Sequence, residues 1–226
     1  MRTFHAILAF SLILSSTFFI PIRARADDTP GAGSYYPLEK GSVWTYRFGR
    51  DNGTARYDVI GYSGRSGAFV VRYDMKTIDV VIRTESLIKA AGERVIRIGG
   101  TDIFSGNSRR MYANSEIILQ TPLTPGASWS YRRDDPGGKD CRVECKVVRI
   151  TDCEVPAGRF KDVLVVRRTT TFSKGVTEKS REVRDEYYAP GVGEVREDIV
   201  EGDGADKDHP WMELTEYRPV AHTAGK

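Results

Sequence analysis

The sequence predicts an all-β protein, built as one large, strongly curved antiparallel sheet, half-barrel or sandwich of about ten to twelve strands with little helix. Short segments rich in valine, isoleucine and aromatic residues recur along the chain, and glycine, proline, asparagine or aspartate separates them. No segment repeats its apolar residues with the period of an amphipathic helix. A single sheet of this size has to curl or fold over itself.

The first 26 residues are predicted to be a signal peptide. A polar start with Arg2 and His5 precedes the apolar run Ala6–Ile20, and Ala24-Arg25-Ala26 fits the small-x-small pattern of a cleavage site. The apolar run is shorter than the ~20 residues of a membrane span, which favours cleavage over an uncleaved anchor. We therefore expect an exported protein, periplasmic or secreted, with no membrane span after signal cleavage.

The rest of the chain is predicted to be a single β domain. Residues 27–34 form a polar leader without periodicity that we expect to be flexible, residues 35–219 form the domain, and residues 220–226 form a loose tail. The domain carries a weak internal similarity between residues 35–120 and 121–219, described below. Its length is sufficient for one substantial core.

The charge balance argues against nucleic acid as a partner. The full chain has 34 basic and 31 acidic residues, and three of the basic ones (Arg2, Arg23 and Arg25) lie in the predicted signal peptide. The mature chain therefore has 31 of each and no net charge. A protein that neutralises phosphates needs a surplus of lysine and arginine on one face.

One motif occurs twice, at Pro37–Tyr46 and at Pro122–Tyr131, and both copies have the pattern Pro-Leu-x-x-Gly-x-x-Trp-x-Tyr. Proline and glycine favour a turn, and residues two apart on the following strand project to one face. The aromatic residues Trp44, Tyr46, Trp129 and Tyr131 are therefore candidate ligand-binding residues that would line a groove. The alternative, which we favour, is that they fill two equivalent places in the core.

Several further local predictions can be tested against the structure. Pro156-Ala157-Gly158 and Pro190–Gly193 are predicted turns, as are Asp51-Asn52-Gly53 and Asp135–Gly138. Leu87–Ala91 is the only candidate for a helical turn. The segment Thr177–Glu186 is charged on both faces and is interpreted as a solvated ribbon whose carboxylates pair with Arg167 and Arg168.

Two further motifs accompany the repeated one: Val-Pro-Ala-Gly-x-Phe-x-x-Val begins at Val155, and Tyr-Tyr-Ala-Pro-Gly-Val-Gly-x-Val begins at Tyr187. With these three motifs the chain resembles a group of exported bacterial proteins and lipoproteins of unknown function. Such proteins are similar in outline to the curved antiparallel half-barrels of lipoprotein carriers. This chain departs from the carriers in lacking obvious plug helices. The resemblance implies a fold and export, and it carries no functional residues over to this sequence.

The sequence offers little for catalysis or metal binding. The chain has an odd number of cysteines, Cys141, Cys145 and Cys153. If Cys141 and Cys145 lie on one strand, they share a face but are ~13 Å apart, which is too far for a disulfide bond. We therefore expect at least one buried or free thiol, and the sequence leaves any disulfide pairing open. His209 has aspartates beside it, as a catalytic histidine would need, but the chain has no Gly-x-Ser-x-Gly motif to supply the nucleophile of a serine hydrolase.

The segment at residues 201–209 is a predicted loop with four carboxylates that could suit Ca²⁺: Glu201, Asp203, Asp206 and Asp208. We interpret it instead as a solvated acidic turn. We expect no metal site and no cofactor.

The leading interpretation is a non-enzymatic exported β-sheet protein that binds an apolar small molecule or an envelope component. The second is a structural or adhesion module that associates through sheet edges. A hydrolase that uses His209 is the third.

Overall fold

The computed structural model describes residues 30–49, 53–102, 108–133, 140–174, 178–206 and 208–220, and in these the chain forms one 12-stranded sheet. The strands are β1 (Val43–Phe48), β2 (Gly53–Ser63), β3 (Ala68–Lys76), β4 (Val81–Ala91), β5 (Arg94–Asp102), β6 (Ser108–Gln120), β7 (Ser128–Arg133), β8 (Asp140–Val155), β9 (Gly158–Lys174), β10 (Glu178–Ala189), β11 (Gly193–Glu201) and β12 (Met212–Arg218). A 3-10 helix at Ala32–Tyr35 is the only helix in the described part of the chain. The predicted all-β class is confirmed.

The sheet curls into a nearly closed barrel made of two six-stranded meanders. The strand order is β6-β5-β4-β3-β2-β1-β12-β11-β10-β9-β8-β7, so the first meander (β1–β6) and the second (β7–β12) meet at the β1–β12 pair. The two edge strands, β6 and β7, face each other across the remaining seam. There the indole Nε1 of Trp129 on β7 donates a hydrogen bond to the main-chain oxygen of Ile117 on β6 at 3.3 Å.

The two copies of the repeated motif occupy matching positions in the two meanders. The amide of Gly41 donates to Val59 O at 2.8 Å, and the amide of Gly126 donates to Val147 O at 2.8 Å. Both glycines have a positive φ, 102° and 95°, which favours glycine at this turn. Each turn thus ties the start of a Trp strand, β1 or β7, to the next strand of its meander.

The apolar core follows the strands that the sequence marks as most hydrophobic. Val163, Leu164, Val165 and Val166 on β9 have no exposed surface, as expected for a run that is apolar on both faces of its strand. The turn before β9 is also found: Pro156 and Ala157 connect β8 to β9, and the amide of Ala157 donates to Leu214 O on β12 at 3.0 Å. The chain likewise reverses at Pro190–Val192 between β10 and β11.

One local prediction is wrong. Leu87–Ala91 is not helical; it is the end of β4, where Leu87 pairs with Val70 on β3 and with Gly99 on β5. The side chains of Leu87 and Ile88 are 4% and 1% exposed, so pairing on both sides and burial override the helix preference of a short Leu-Ile-Lys-Ala-Ala segment.

Some predictions fall outside the described residues. These are the signal peptide, the tips of the Asp51-Asn52-Gly53 and Asp135–Gly138 turns, and nearly all of the tail at 220–226. Residues 27–29 of the predicted flexible leader also lie outside. The rest of that segment is packed from Ala32 onward, since Ala32 is fully buried and Ser34 O accepts a hydrogen bond from Gly191 N at 2.7 Å.

The three cysteines form no disulfide, and all of them are buried. Cys141 and Cys145 share the buried face of β8, as the strand periodicity predicts. Burial raises the pKa of the Cys145 thiol to about 11 and also raises the pKa of Cys153. Since the thiolate is the reactive form, both cysteines are held in the unreactive state.

We therefore expect the native protein to react very slowly with Ellman's reagent at pH 8. All three thiols should react within minutes once the protein is unfolded in guanidinium chloride, because unfolding removes the burial that raises the pKa. Rapid release of one or more equivalents of thionitrobenzoate from the native protein would contradict this expectation.

Candidate ligand-binding site in the barrel lumen

The barrel contains a polar cavity of about 410 Å³ that is partly open to solvent. Its walls come from both meanders: β2, β5 and β6 supply Tyr57, Arg97 and Glu116, while β7, β9, β10 and β11 supply the facing residues. The lining is dominated by arginine, glutamate and tyrosine, which is unusual because charged side chains are rarely buried unless they are paired. We call this space the lumen cavity.

The most buried ion pair of the lumen cavity joins neighbouring strands β9 and β10. The guanidinium group of Arg168 binds both carboxylate oxygens of Glu186 at 2.5 and 2.9 Å and donates to the hydroxyl of Tyr131 at 2.5 Å. The hydroxyl of Tyr188 donates to Glu186 at 2.8 Å. The two charged side chains are only 13% and 9% exposed, so each depends on the other for compensation.

Two more arginines are neutralised in the same lumen. Arg184 on β10 is held between Glu182, at 2.7 Å, and Glu197 on β11. Arg97 on β5 binds Glu116 on β6 at 2.8 Å. Together with the Arg168–Glu186 pair, these ion pairs use four of the five glutamates that line the cavity.

The fifth glutamate, Glu194 on β11, has no cationic partner in the described part of the chain. Its Oε1 atom is shielded from solvent and accepts no hydrogen bond. Burial raises the pKa of Glu194 well above its usual range; the neighbouring carboxylates of Glu197 and Glu186 act in the same direction, while Arg168 and Arg184 oppose them. The cavity therefore contains a carboxyl group that favours its neutral form when no ligand is bound.

Tyrosines surround this carboxyl group. Tyr36, Tyr46, Tyr57 and Tyr188 all lie close enough for its charge to raise their pKa values, and burial raises the pKa of Tyr36 to about 12. The Tyr36 and Tyr188 rings have their centroids 6.4 Å apart, and the Tyr46 and Tyr57 rings lie edge to face at 5.4 Å. These phenols stay neutral at physiological pH, and three of the four tyrosines of this cluster line the lumen cavity: Tyr36, Tyr57 and Tyr188.

The structure places the four sequence-predicted site residues in different surroundings. Trp44 and Trp129 are 6% and 7% exposed, and the indole of Trp44 donates to Val192 O at 2.6 Å. Tyr46 is equally buried, and its hydroxyl donates to Glu194 O at 2.9 Å. Trp44, Trp129 and Tyr46 therefore lie in the core, as the favoured interpretation of the motif predicts. Tyr131 instead lines the lumen cavity and accepts the hydrogen bond from Arg168.

The charged segment at Thr177–Glu186 is not a solvated ribbon along its whole length. Val183, Asp185 and Glu186 are buried, and Glu182, Arg184, Glu186 and Tyr188 line the lumen cavity from alternate positions of β10. The predicted pairing partners are confirmed: Arg167 binds Asp185 at 2.8 and 2.9 Å on the opposite face, and Arg168 binds Glu186. The alternation of sign, Glu-x-Arg-x-Glu on one face, was the available sequence signal for this lining.

The other candidate groups stay apart from the lumen cavity. His209 is 73% exposed on its side chain, binds Asp206 through Nδ1 at 3.2 Å, and lies beside a separate open cavity of about 510 Å³. Within the described ranges, no three His, Cys, Asp or Glu side chains are arranged to hold a metal ion. No helix in the same part of the chain is long and apolar enough to cross a membrane.

Comparison with known proteins supports the fold. No family model matches the chain, and no curated protein matches it. Two crystal structures of bacterial proteins do: a candidate lipoprotein from Parabacteroides distasonis, with a TM-score of 0.53 and 14% identity, and a candidate exported protein with a YmcC-like fold from Bacteroides fragilis, with a TM-score of 0.51 and 15% identity. Each alignment covers 81% of this chain and 98% of the other. At this identity the likeness concerns the fold alone.

Proposed function

We propose that this protein is an exported, non-catalytic β-barrel protein that binds a small polar ligand in its lumen cavity. The observation that carries the proposal is the cavity of about 410 Å³ with charged and hydrogen-bonding groups that converge on it from both meanders. Ligand cavities have volumes of roughly 300–1,000 Å³ and use a few fixed polar groups to orient what they hold. Export is supported by the signal-peptide pattern at residues 1–26 and by the descriptions of the two proteins of similar fold.

The lining favours a polar ligand over the apolar one that the aromatic motif suggested. Trp44 and Trp129 are packed in the core, and the groups around the lumen cavity are mainly ionic. Removing water from such groups is favourable only if the ligand replaces the lost hydrogen bonds. A fatty acyl chain cannot do so, whereas a small charged molecule can.

The alternative of association through sheet edges has less support. The exposed edges would be β6 and β7, but these strands face each other, and main-chain oxygens of β6 at Ile117 and Ile118 accept hydrogen bonds from Trp129 and Arg168. An occupied seam is a poor template for another strand. Light scattering that shows reversible, concentration-dependent oligomers would favour the edge hypothesis.

The test of lumen binding uses a matched pair of substitutions on β9. Thr170 is 3% exposed and lines the lumen cavity, while its neighbour Thr169 faces the outside of the barrel. We expect Thr170→Phe to fill part of the cavity and to lower ligand affinity at least about tenfold, since a steric clash of 1–2 kcal/mol has that effect. Thr169→Phe should leave binding unchanged.

The measurement is the shift in melting temperature of the mature protein (residues 27–226) with amino acids, phosphorylated amines, sugars, nucleotides and fatty acids, followed by titration calorimetry of each hit. Native mass spectrometry of protein purified from the periplasm of its host would detect a retained ligand. The proposal fails if no compound binds, or if binding is equally strong in the Thr170→Phe and Thr169→Phe variants.

A further inference from the structure

Two polar atoms of opposite character are left without partners in the lumen cavity. Oε1 of Glu194 can accept a hydrogen bond and carries negative charge when ionised, whereas Nε of Arg97 can only donate one and belongs to a permanent cation. Both atoms are shielded from bulk solvent, and neither has a hydrogen-bond partner in the described part of the chain. The third such atom, Nε of Arg72, belongs to a residue that does not line this cavity.

The other charged groups that line the lumen do not satisfy these atoms. All but Arg133 are held in ion pairs, and Arg133 lies over the ring of Phe172, with its Cζ atom 5.7 Å from the ring centroid. Arg168 is bound by Glu186 and Tyr131, and Arg184 by Glu182 and Glu197. A buried donor or acceptor without a partner costs roughly 1–3 kcal/mol. An occupant that supplies both partners therefore recovers more free energy than one that supplies neither.

Arg97 and Glu194 line the cavity together with Tyr36 and Tyr57. Tyr36 and Tyr57 each feel the charge of Arg97, which lowers their pKa values, and that of Glu194, which raises them. The rings belong to a larger aromatic cluster, in which the Tyr57 centroid is 4.8 Å from that of Tyr73. An ammonium group beside Glu194 would thus also meet aromatic faces, which attract cations.

From this arrangement we propose that the lumen cavity recognises a small zwitterion: its ammonium group binds Glu194 within the tyrosine cluster, and its carboxylate or phosphate binds Nε of Arg97. This inference rests on the proposed function and names the chemical class of the ligand. An amino acid and a phosphorylated ethanolamine share this chemistry, and the experiment distinguishes them.

Binding of the ammonium group requires that Glu194 be ionised. In the empty protein, burial and the neighbouring carboxylates of Glu186 and Glu197 favour the protonated form of Glu194. The positive charges of Arg168 and Arg184 favour its ionised form. The surrounding tyrosines stay neutral. The ligand cation therefore displaces a proton. Affinity should rise with pH up to the pKa of Glu194 in the empty protein, as long as the ligand amine stays protonated.

Titration calorimetry of the mature protein tests this with four probes: glycine, O-phosphoethanolamine, choline chloride as a cation alone, and sodium acetate as an anion alone. We expect at least one zwitterion to bind about tenfold or more tighter than either single-charge probe, since each charge-assisted hydrogen bond is worth a factor of about ten. Repeating the titration in PIPES and in HEPES, which differ in ionisation enthalpy and carry neither a phosphate nor a primary ammonium group, should reveal release of a proton on binding.

Two variants separate the two ends of the ligand. Glu194→Gln keeps the shape of the side chain and should abolish both proton release and the preference for a cation, lowering zwitterion affinity about tenfold or more. Arg97→Lys retains a cation for Glu116 but lacks Nε, so it should weaken zwitterion binding and leave choline binding unchanged. Glu194→Gln is expected to fold, because it removes a carboxyl group whose raised pKa makes its ionised form unfavourable.

Urea unfolding checks the expectation that the Glu194→Gln variant folds. The stability that the protonated Glu194 confers is present in full below its usual pKa and is lost as the pH rises towards the raised value, so the advantage of the glutamine variant should grow with pH. If Glu194→Gln binds zwitterions as tightly as the parent, or if all four probes bind equally, the inference is wrong. If a sugar or fatty acid binds and Thr170→Phe blocks it, lumen binding stands while the zwitterion inference fails.

Discussion

Replacing Arg168 by methionine should lower the free energy of unfolding by about 3–5 kcal/mol, because it leaves the carboxylate of Glu186 buried without its counter-charge. Arg168 supplies Glu186 with two hydrogen bonds, and only the hydroxyl of Tyr188 would still donate to it. Methionine retains much of the apolar volume of the arginine stem, so the loss reports on the polar contacts of the guanidinium group, which are the ion pair with Glu186 and the hydrogen bonds to Tyr131 and Ile118. Guanidinium chloride unfolding of the mature protein, followed by tryptophan fluorescence, measures the difference.

A double substitution distinguishes the pair from its surroundings. Arg168→Met combined with Glu186→Gln removes both charges, and we expect it to recover most of the lost stability, since the penalty comes from an uncompensated charge more than from the absence of attraction. Arg83→Met is a matched control, because Arg83 pairs with Asp74 on the exterior with 70% of its side chain exposed. A similar loss in Arg83→Met and Arg168→Met would refute the burial argument.

Trp44→Ala should cost about 3–5 kcal/mol, the range for truncating a buried tryptophan. The indole is 6% exposed, stacks on Tyr217 with the ring centroids 5.4 Å apart, and donates to Val192 O in the turn between β10 and β11. It therefore joins the first strand of one meander to the β10–β11 hairpin of the other. Trp44→Phe, which keeps an aromatic ring but loses the donor, should cost less, about 1–3 kcal/mol.

The control for Trp44 is Trp211, which is only half-buried and contacts Phe48 with the ring centroids 6.0 Å apart. We expect Trp211→Ala to destabilise the protein clearly less than Trp44→Ala, as judged by urea unfolding followed by circular dichroism. Equal losses for the two indoles would show that the junction between the meanders does not depend on Trp44.

Much of the fold could be predicted because its signals are local. Turn residues such as Pro156-Ala157 and Pro190-Gly191 act through backbone conformation alone, and the all-apolar run Val163–Val166 requires burial on both faces wherever it lies. The failure at Leu87–Ala91 has the opposite cause. Its neighbours Val70 and Gly99 are remote in sequence, and pairing with them decides its conformation.

The candidate site was largely missed for a similar reason. The charges at Glu182, Arg184 and Glu186 are compatible with an exposed ribbon until the sheet closes and turns one face of β10 into an inner wall. Nothing in the sequence indicated that Glu194 would lack a cationic partner. This property depends on which arginines form ion pairs with the other four glutamates in the folded barrel. Conversely, the aromatic motif suggested a binding groove at Trp44 and Trp129, whose side chains are only 6% and 7% exposed and do not line the lumen cavity.

The sequence by itself determined the strand class, the turns that separate the strands and the repeated Trp strand, because hydrophobic periodicity and turn chemistry are properties of neighbouring residues. Only the tertiary structure decided that β1 pairs with β12, that the two meanders close around a cavity, and that Oε1 of Glu194 and Nε of Arg97 are buried there without hydrogen-bond partners. These outcomes depend on contacts between residues far apart in the chain, and a one-residue change of register would turn each side chain to the other face of the sheet.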